Sequence, residues 1–171
     1  MASLLPPIAI AVAIVLLWGH GVGLTDVVLL VVGYTLTGLG VTVGFHRLLT
    51  HRSFKTYRPI RFALALFGTM AAEGPPLTWV AHHRRHHATA DHEGDPHSPH
   101  LEAGEGWRGA LHGLWHAHLG WLLDERLTSN PMRYAPDLMR EPEMRWISKH
   151  FLSIVLAGVL LPGLIGLAVS G

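Results

Sequence analysis

The chain has 171 residues, 13 Lys and Arg against 12 Asp and Glu, 14 histidines and no cysteine. A formal net charge of +1 excludes the broad basic bias of a nucleic-acid binder. The missing thiols exclude disulfide frameworks, thiolate zinc sites, iron–sulfur clusters and haem-thiolate chemistry.

The distribution of charge is more informative than its sum. All 13 Lys and Arg lie between Arg47 and Lys149, the first 45 residues carry only Asp26, and the last 21 carry no charge. Apolar ends around a basic middle predict an all-α integral membrane protein, with spans flanking a cytoplasmic segment at about 46–150. Leu4–Leu24 is apolar except for His20, with Pro6 and Pro7 where a helix's first turn tolerates proline. Its clean part, Leu4–Trp18, would extend only about 22 Å, so it spans only by continuing to Leu24. A signal peptide fits less well, because the basic leading region is missing and a second span follows at once. Thr25-Asp26 reads as a turn and helix cap.

Val27–Phe45 has no charge in 19 residues and is the second span. No breaker separates it from His46, so the helix is expected to run on through His46 and His51. At 1.5 Å per residue His46 stands roughly 29 Å from Val27, at the far edge of the bilayer. The basic residues beginning at Arg47 assign that edge to the cytoplasm, and the first two spans make a hairpin. Pro59–Glu73 is too short to cross and suits a helix at the interface or against the spans. After Gly74-Pro75-Pro76, Leu77–Ala90 reads as a new helix carrying His82, His83, His86 and His87. Asp91–Gly106 reads as loop, Leu111–Leu123 as an aromatic interfacial helix, and Ser129–Pro142, with its three prolines, as loop again. Phe151–Val169 is a third span interrupted by Pro162.

The histidines carry the chemistry. On a helix, residues i, i+3 and i+4 share a face, so His83, His86 and His87 are expected to point at one place. Neutral imidazoles ligate zinc, copper, iron and nickel. His46 and His51 are five apart, about 140° around an α-helix. They diverge too far for one ion but can reach two ions a few ångströms apart. Phosphate contact by exposed histidines beside Arg84 and Arg85 is the plainer alternative. Dehydrating two such clusters at a membrane edge without a partner is costly, which favours metal.

His46-Arg-Leu-Leu-Thr-His51-Arg-Ser-Phe-Lys resembles the first histidine box of membrane fatty-acyl desaturases of the Δ9 acyl-CoA or acyl-lipid type. Trp79-Val-Ala-His-His83-Arg-Arg-His86-His87, followed by Asp91 and Asp95-Pro96-His97, resembles the second. His118-Leu-Gly-Trp121-Leu-Leu matches a stretch after that box. The resemblance is close from about Gly33 to Leu123.

It implies a centre of two non-haem iron ions ligated by His46, His51, His83, His86 and His87. O2 would be the co-substrate, and a cis double bond would be made in an acyl-CoA or membrane acyl lipid. Electrons would come from an external donor such as ferredoxin or a cytochrome b5 system. Iron over zinc is chosen by the resemblance alone. The family's third HxxHH box and a preceding Asn-x-x-x-His motif do not occur here, and His150 matches neither. The expectation is therefore one partial, C-terminally truncated desaturase domain over 1–171 that does not turn over alone.

Asp91, Asp95 and His118 are candidates for orienting ligand imidazoles from behind, and His82 for an extra ligand. Arg52, Lys55, Arg84 and Arg85 are candidates for binding a phosphate-bearing head group, or for contacting anionic lipid. Two alternative activities stay open: a histidine-box hydroxylase of the alkane or carotenoid type, and a non-catalytic metal-binding membrane protein. The latter wants polar residues inside its spans, and Val27–Phe45 offers only Tyr34, Thr35, Thr37 and Thr42.

Overall fold

The computed structural model describes residues 23–90, 106–116 and 128–170, together with isolated positions at 12, 15, 21, 92, 95, 98 and 120. Among these residues every regular element is helical. The expected Leu4–Leu24 span lies outside them except at isolated positions, as do Asp91, His97, His100 and His118.

Helix α1 runs unbroken over Leu24–Thr50 and is long and apolar enough to cross a bilayer. It begins slightly earlier than the sequence suggests. Gly23 is the N-cap, and Asp26, inside the first turn, accepts a 2.9 Å hydrogen bond from the Gly23 N–H. Two of its threonines are satisfied within the helix. The Thr37 hydroxyl donates to the Gly33 carbonyl at 2.9 Å, and that of Thr42 to Gly38 at 2.6 Å. Over Gly40–Thr50 the helix is π-helical, and its end is tied by an i→i−5 bond from the His51 N–H to the His46 carbonyl at 3.0 Å.

Helix α2, Arg58–Met70, opens with a proline in its first turn and lies against α1 rather than alone at an interface. The crossing is made by glycines. A Cβ on Gly40 would stand 2.1 Å from the Gly68 nitrogen, and one on Gly68 would stand 2.8 Å from the Gly40 oxygen. Backbone meets backbone there, as small residues allow. Helix α3, Pro76–Thr89, carries the second histidine cluster. Helix α4 covers Gly106–Trp115, starting earlier than the expected Leu111.

The region 129–142 corrects the expected loop. It holds α5, Pro131–Tyr134, and α6, Pro136–Met139, and α7 follows over Pro142–Lys149. Each begins on a proline, whose missing N–H costs nothing in a helix's first turn. The three prolines start helices instead of breaking one. Asn130 caps α5, its side-chain oxygen accepting from the Met132 N–H at 2.9 Å. Helix α8, Phe151–Ser170, continues through Pro162 without the expected interruption. Among the described residues it is the second helix long and apolar enough to cross a membrane, and Gly158 brings it against Met70 of α2.

The core sits at the histidine end. Phe45, Leu48 and Leu49 of α1 pack with Ala65 of α2, Leu77, Val80 and Ala81 of α3, Leu138 of α6, and Met144 and Ile147 of α7. The apolar stretches of α1 and α8 leave this core with exposed faces, such as Leu30 and Leu160. That pattern suits lipid contact.

The glycine crossing makes opposite predictions two residues apart. Gly40→Ala must push α1 off α2, an overpacking cost on the order of 1–3 kcal/mol. Gly38, whose Cβ would meet nothing within 4 Å, should accept alanine and gain about 0.5–1 kcal/mol of helix stability. Thermal unfolding in detergent, followed by circular dichroism, should move the two variants in opposite directions.

Candidate metal centre

Four imidazoles converge where α1 ends beside α3. One ring nitrogen from each of His46, His51, His83 and His87 lies within 4.8 Å of the other three. The Nε2 atoms of His46 and His51 are 3.1 Å apart, and so are those of His83 and His87. Ligand nitrogens on adjacent corners of an octahedron with bonds of about 2.1 Å are about 3.0 Å apart, and opposite ones about 4.2 Å. The four nitrogens could hold a transition-metal ion after sub-ångström closure. His46 and His83 are half-buried while His51 and His87 are exposed, so the described residues leave one side open.

This corrects the expected divergence of His46 and His51. The 140° separation holds for an α-helix, whereas i→i−5 bonding places residues five apart on one face. The π-helical end of α1 therefore aims both rings at α3, and the Thr50 hydroxyl reinforces the register by donating to the Phe45 carbonyl at 2.9 Å.

On α3 the histidines divide. His83 and His87, four apart, join the cluster, but His86 does not belong to the four. Its Nδ1 lies 2.9 Å from an Oδ1 of Asp95, whose side chain is fully buried. An ionised carboxylate only accepts, so against one Nδ1 is the donor, and a neutral ring in that arrangement would leave Nε2 its lone pair. Asp95 reaches this place through a turn in which the His92 N–H bonds to Thr89 and the Asp95 N–H to His92. The expectation that Asp95 orients an imidazole therefore has a partner in view. His82 is half-buried and also outside the four.

Two positions act on His83 from behind. The Trp79 ring stacks on it, with centroids 4.8 Å apart and planes inclined by 18°. The Trp79 Nε1–H is held by Glu73 at 3.0 Å. Sequence reasoning used Trp79 only to register the motif and missed Glu73. The available signal was that Glu73 is the one acidic residue between Asp26 and Asp91.

Of the head-group candidates, Arg84 has only 17% of its side chain exposed and is fully engaged. It donates to both oxygens of Asp137 at 2.6 and 3.1 Å, and to the carbonyls of Leu49 at 2.7 Å and Tyr134 at 3.1 Å. Arg52 pairs with the same carboxylate at 2.6 Å. Burial alone would raise the Asp137 carboxyl, but hydrogen bonds from Arg84 and then Arg52 outweigh it and hold the group at about 2. Lys55 is exposed and Arg85 half-buried. Asp137 had no sequence signal, since it lies 50 residues beyond the last member of the four.

The fatty acid desaturase family description matches residues 23–170. The chain is 42% identical to a hex-5-enoyl-[acyl-carrier protein] acetylenase of Moorena producens, over 99% of this chain and 53% of that protein. It is 38% identical to an sn-1 stearoyl-lipid 9-desaturase of Anabaena variabilis, over 75% of this chain and 44% of that protein. It is also 34% identical to a probable acyl-CoA desaturase of Schizosaccharomyces pombe, over 72% of this chain and 24% of that protein. The chain thus spans about half the length, or less, of the curated relatives it matches.

Burial, then the neighbouring His87, His46, His51 and His86, push the His83 pKa down to about 3, so its lone pair is available to a metal at neutral pH. The unfolded chain takes up this proton as pH falls through about 6.5, and the folded one only near 3. The contribution of His83 to stability is complete above 6.5 and is lost progressively between those values. Melting temperatures of metal-free protein should fall across that window, and His83→Asn should flatten the slope.

Proposed function

Because the chain belongs to the fatty acid desaturase family, we propose that it forms part of an O2-dependent acyl desaturase built on a histidine-ligated di-iron centre. The observation that carries the reading is the convergence of four imidazole nitrogens at the end of a 27-residue apolar helix. His46, His51, His83 and His87 would hold one iron. His86, whose Nδ1 lies beside Asp95, would be a candidate ligand for the second iron.

Bound iron would supply the activation of O2. In the chain itself, burial and neighbouring imidazoles lower the pKa of His46, His83 and His87, Trp79 stacks on His83, and Asp95 holds His86 through its Nδ1. Two hydrogens leave adjacent carbons of a saturated acyl segment to give a cis double bond. O2 takes two electrons from that segment and two from an external donor such as ferredoxin or a cytochrome b5 system, and with protons ends as two waters. A Δ9 position is proposed because relatives named for 9-desaturation are among the matches. The substrate is an acyl-CoA or membrane acyl lipid, with Lys55 and Arg85 proposed as head-group contacts. α1 and α8 span the membrane, with the histidine end on the cytoplasmic side, where all the Lys and Arg collect.

The test is to express the full-length gene product in a host lacking desaturase and analyse its membrane fatty acids by mass spectrometry. O2-dependent unsaturated product is expected. His83→Ala should lower it at least a hundredfold while the protein still accumulates in the membrane. Hydroxylated product alone, or unchanged turnover by His83→Ala, would overturn the proposal.

A further inference from the structure

We propose that Asp137 is a positioning residue for the metal centre, a single carboxylate that locks together the two helix ends carrying the four converging imidazoles. The inference rests on the metal reading above but concerns residues outside both histidine clusters.

Arg52 directly follows His51, and Arg84 directly follows His83. Both guanidinium groups close on Asp137, Arg52 at 2.6 Å and Arg84 at 2.6 and 3.1 Å in a two-point fork. Arg84 also donates at 2.7 Å to the carbonyl of Leu49, two residues before His51 and in the last turn of α1. The end of α1 and the middle of α3 are therefore joined twice: once directly through Arg84, and once through the shared carboxylate. The backbone carries a mark of the same constraint. Arg52 has φ of +51°, a left-handed conformation that a non-glycine residue keeps only where its surroundings hold it. That turn ends the helix immediately after His51 and delivers the guanidinium to Asp137.

Both carboxylate oxygens face guanidinium groups, so Asp137 is no ligand. Its function is separation and register. Two cations sharing one carboxylate stand close enough to repel, and with the charge between them removed they drive the α1 end and α3 apart. That movement opens a cluster whose nitrogens already need to close slightly around an ion. The effect reaches the metal through Arg52 and His51 on one side and Arg84 and His83 on the other.

The experiment uses the full-length gene product in detergent, freed of metal, with Co2+ as the probe. Affinity is read from the visible absorption of the cobalt–histidine complex, and folding from the melt of the metal-free protein. Asp137→Asn should weaken Co2+ binding at least tenfold and alter the spectrum, and Asp137→Glu should recover part of the affinity. Arg52→Gln cuts the arm that is 63% exposed. It should weaken binding three- to tenfold with an unchanged melt, which keeps the test decisive if Asp137→Asn does not fold. Wild-type affinity and spectrum in folded Asp137→Asn, or unchanged affinity in Arg52→Gln, would overturn this inference alone. Failure of the unaltered protein to bind Co2+ would bring down the metal reading and this inference together.

Discussion

Hydrogen bonds running from residue i to residue i−5 at the end of α1 decide where two imidazoles stand, and most of the histidine end depends on that register. In an α-helix His46 and His51 would face different neighbours. In the π-helix they face one point, and α3 meets it with His83 and His87. A π-helical run of this length is unfavourable unless its surroundings hold it. Gly40 and Gly44 give that support by letting α2 press against the segment, while Phe45, Leu48 and Leu49 anchor it in the core.

The same region concentrates positive charge. Arg47, Arg52, Arg84 and Arg85 flank the imidazoles, and a divalent cation among them would add to the repulsion. Two features offset this. Burial and mutual repulsion keep His83 unprotonated, so it brings a lone pair and no charge. Asp137 pairs with the guanidinium groups of Arg52 and Arg84, which directly follow His51 and His83, and offsets part of their charge. Ligand availability and helix separation are therefore set by the same electrostatic balance.

Packing follows a complementary division. The close-packed core gathers α1, α2, α3, α6 and α7 at the histidine end and holds the converging imidazoles in place. The long apolar stretches of α1 and α8 carry exposed side chains away from it. A packed histidine-bearing end and, among the described residues, two apolar helices of bilayer length suit a protein at a lipid surface.

Hydropathy made α1, α2, α3 and α8 legible, because long apolar periodicity and helix-opening prolines are local signals. The same locality misled at 129–142, where prolines start three short helices, and at Pro162, where α8 continues. The chain's composition and motifs by themselves determined an all-helical protein with apolar spans, histidines gathered at the end of one span, and resemblance to the desaturases. Only the tertiary structure decided which histidines converge. It brought His46 and His51 into one register and separated His86 from the four. It also brought in Glu73 and Asp137, and it set Asp95, already singled out in the sequence, beside His86. The reason is that helix register and long-range ion pairs arise from contacts between elements, and residue spacing within one element cannot encode them.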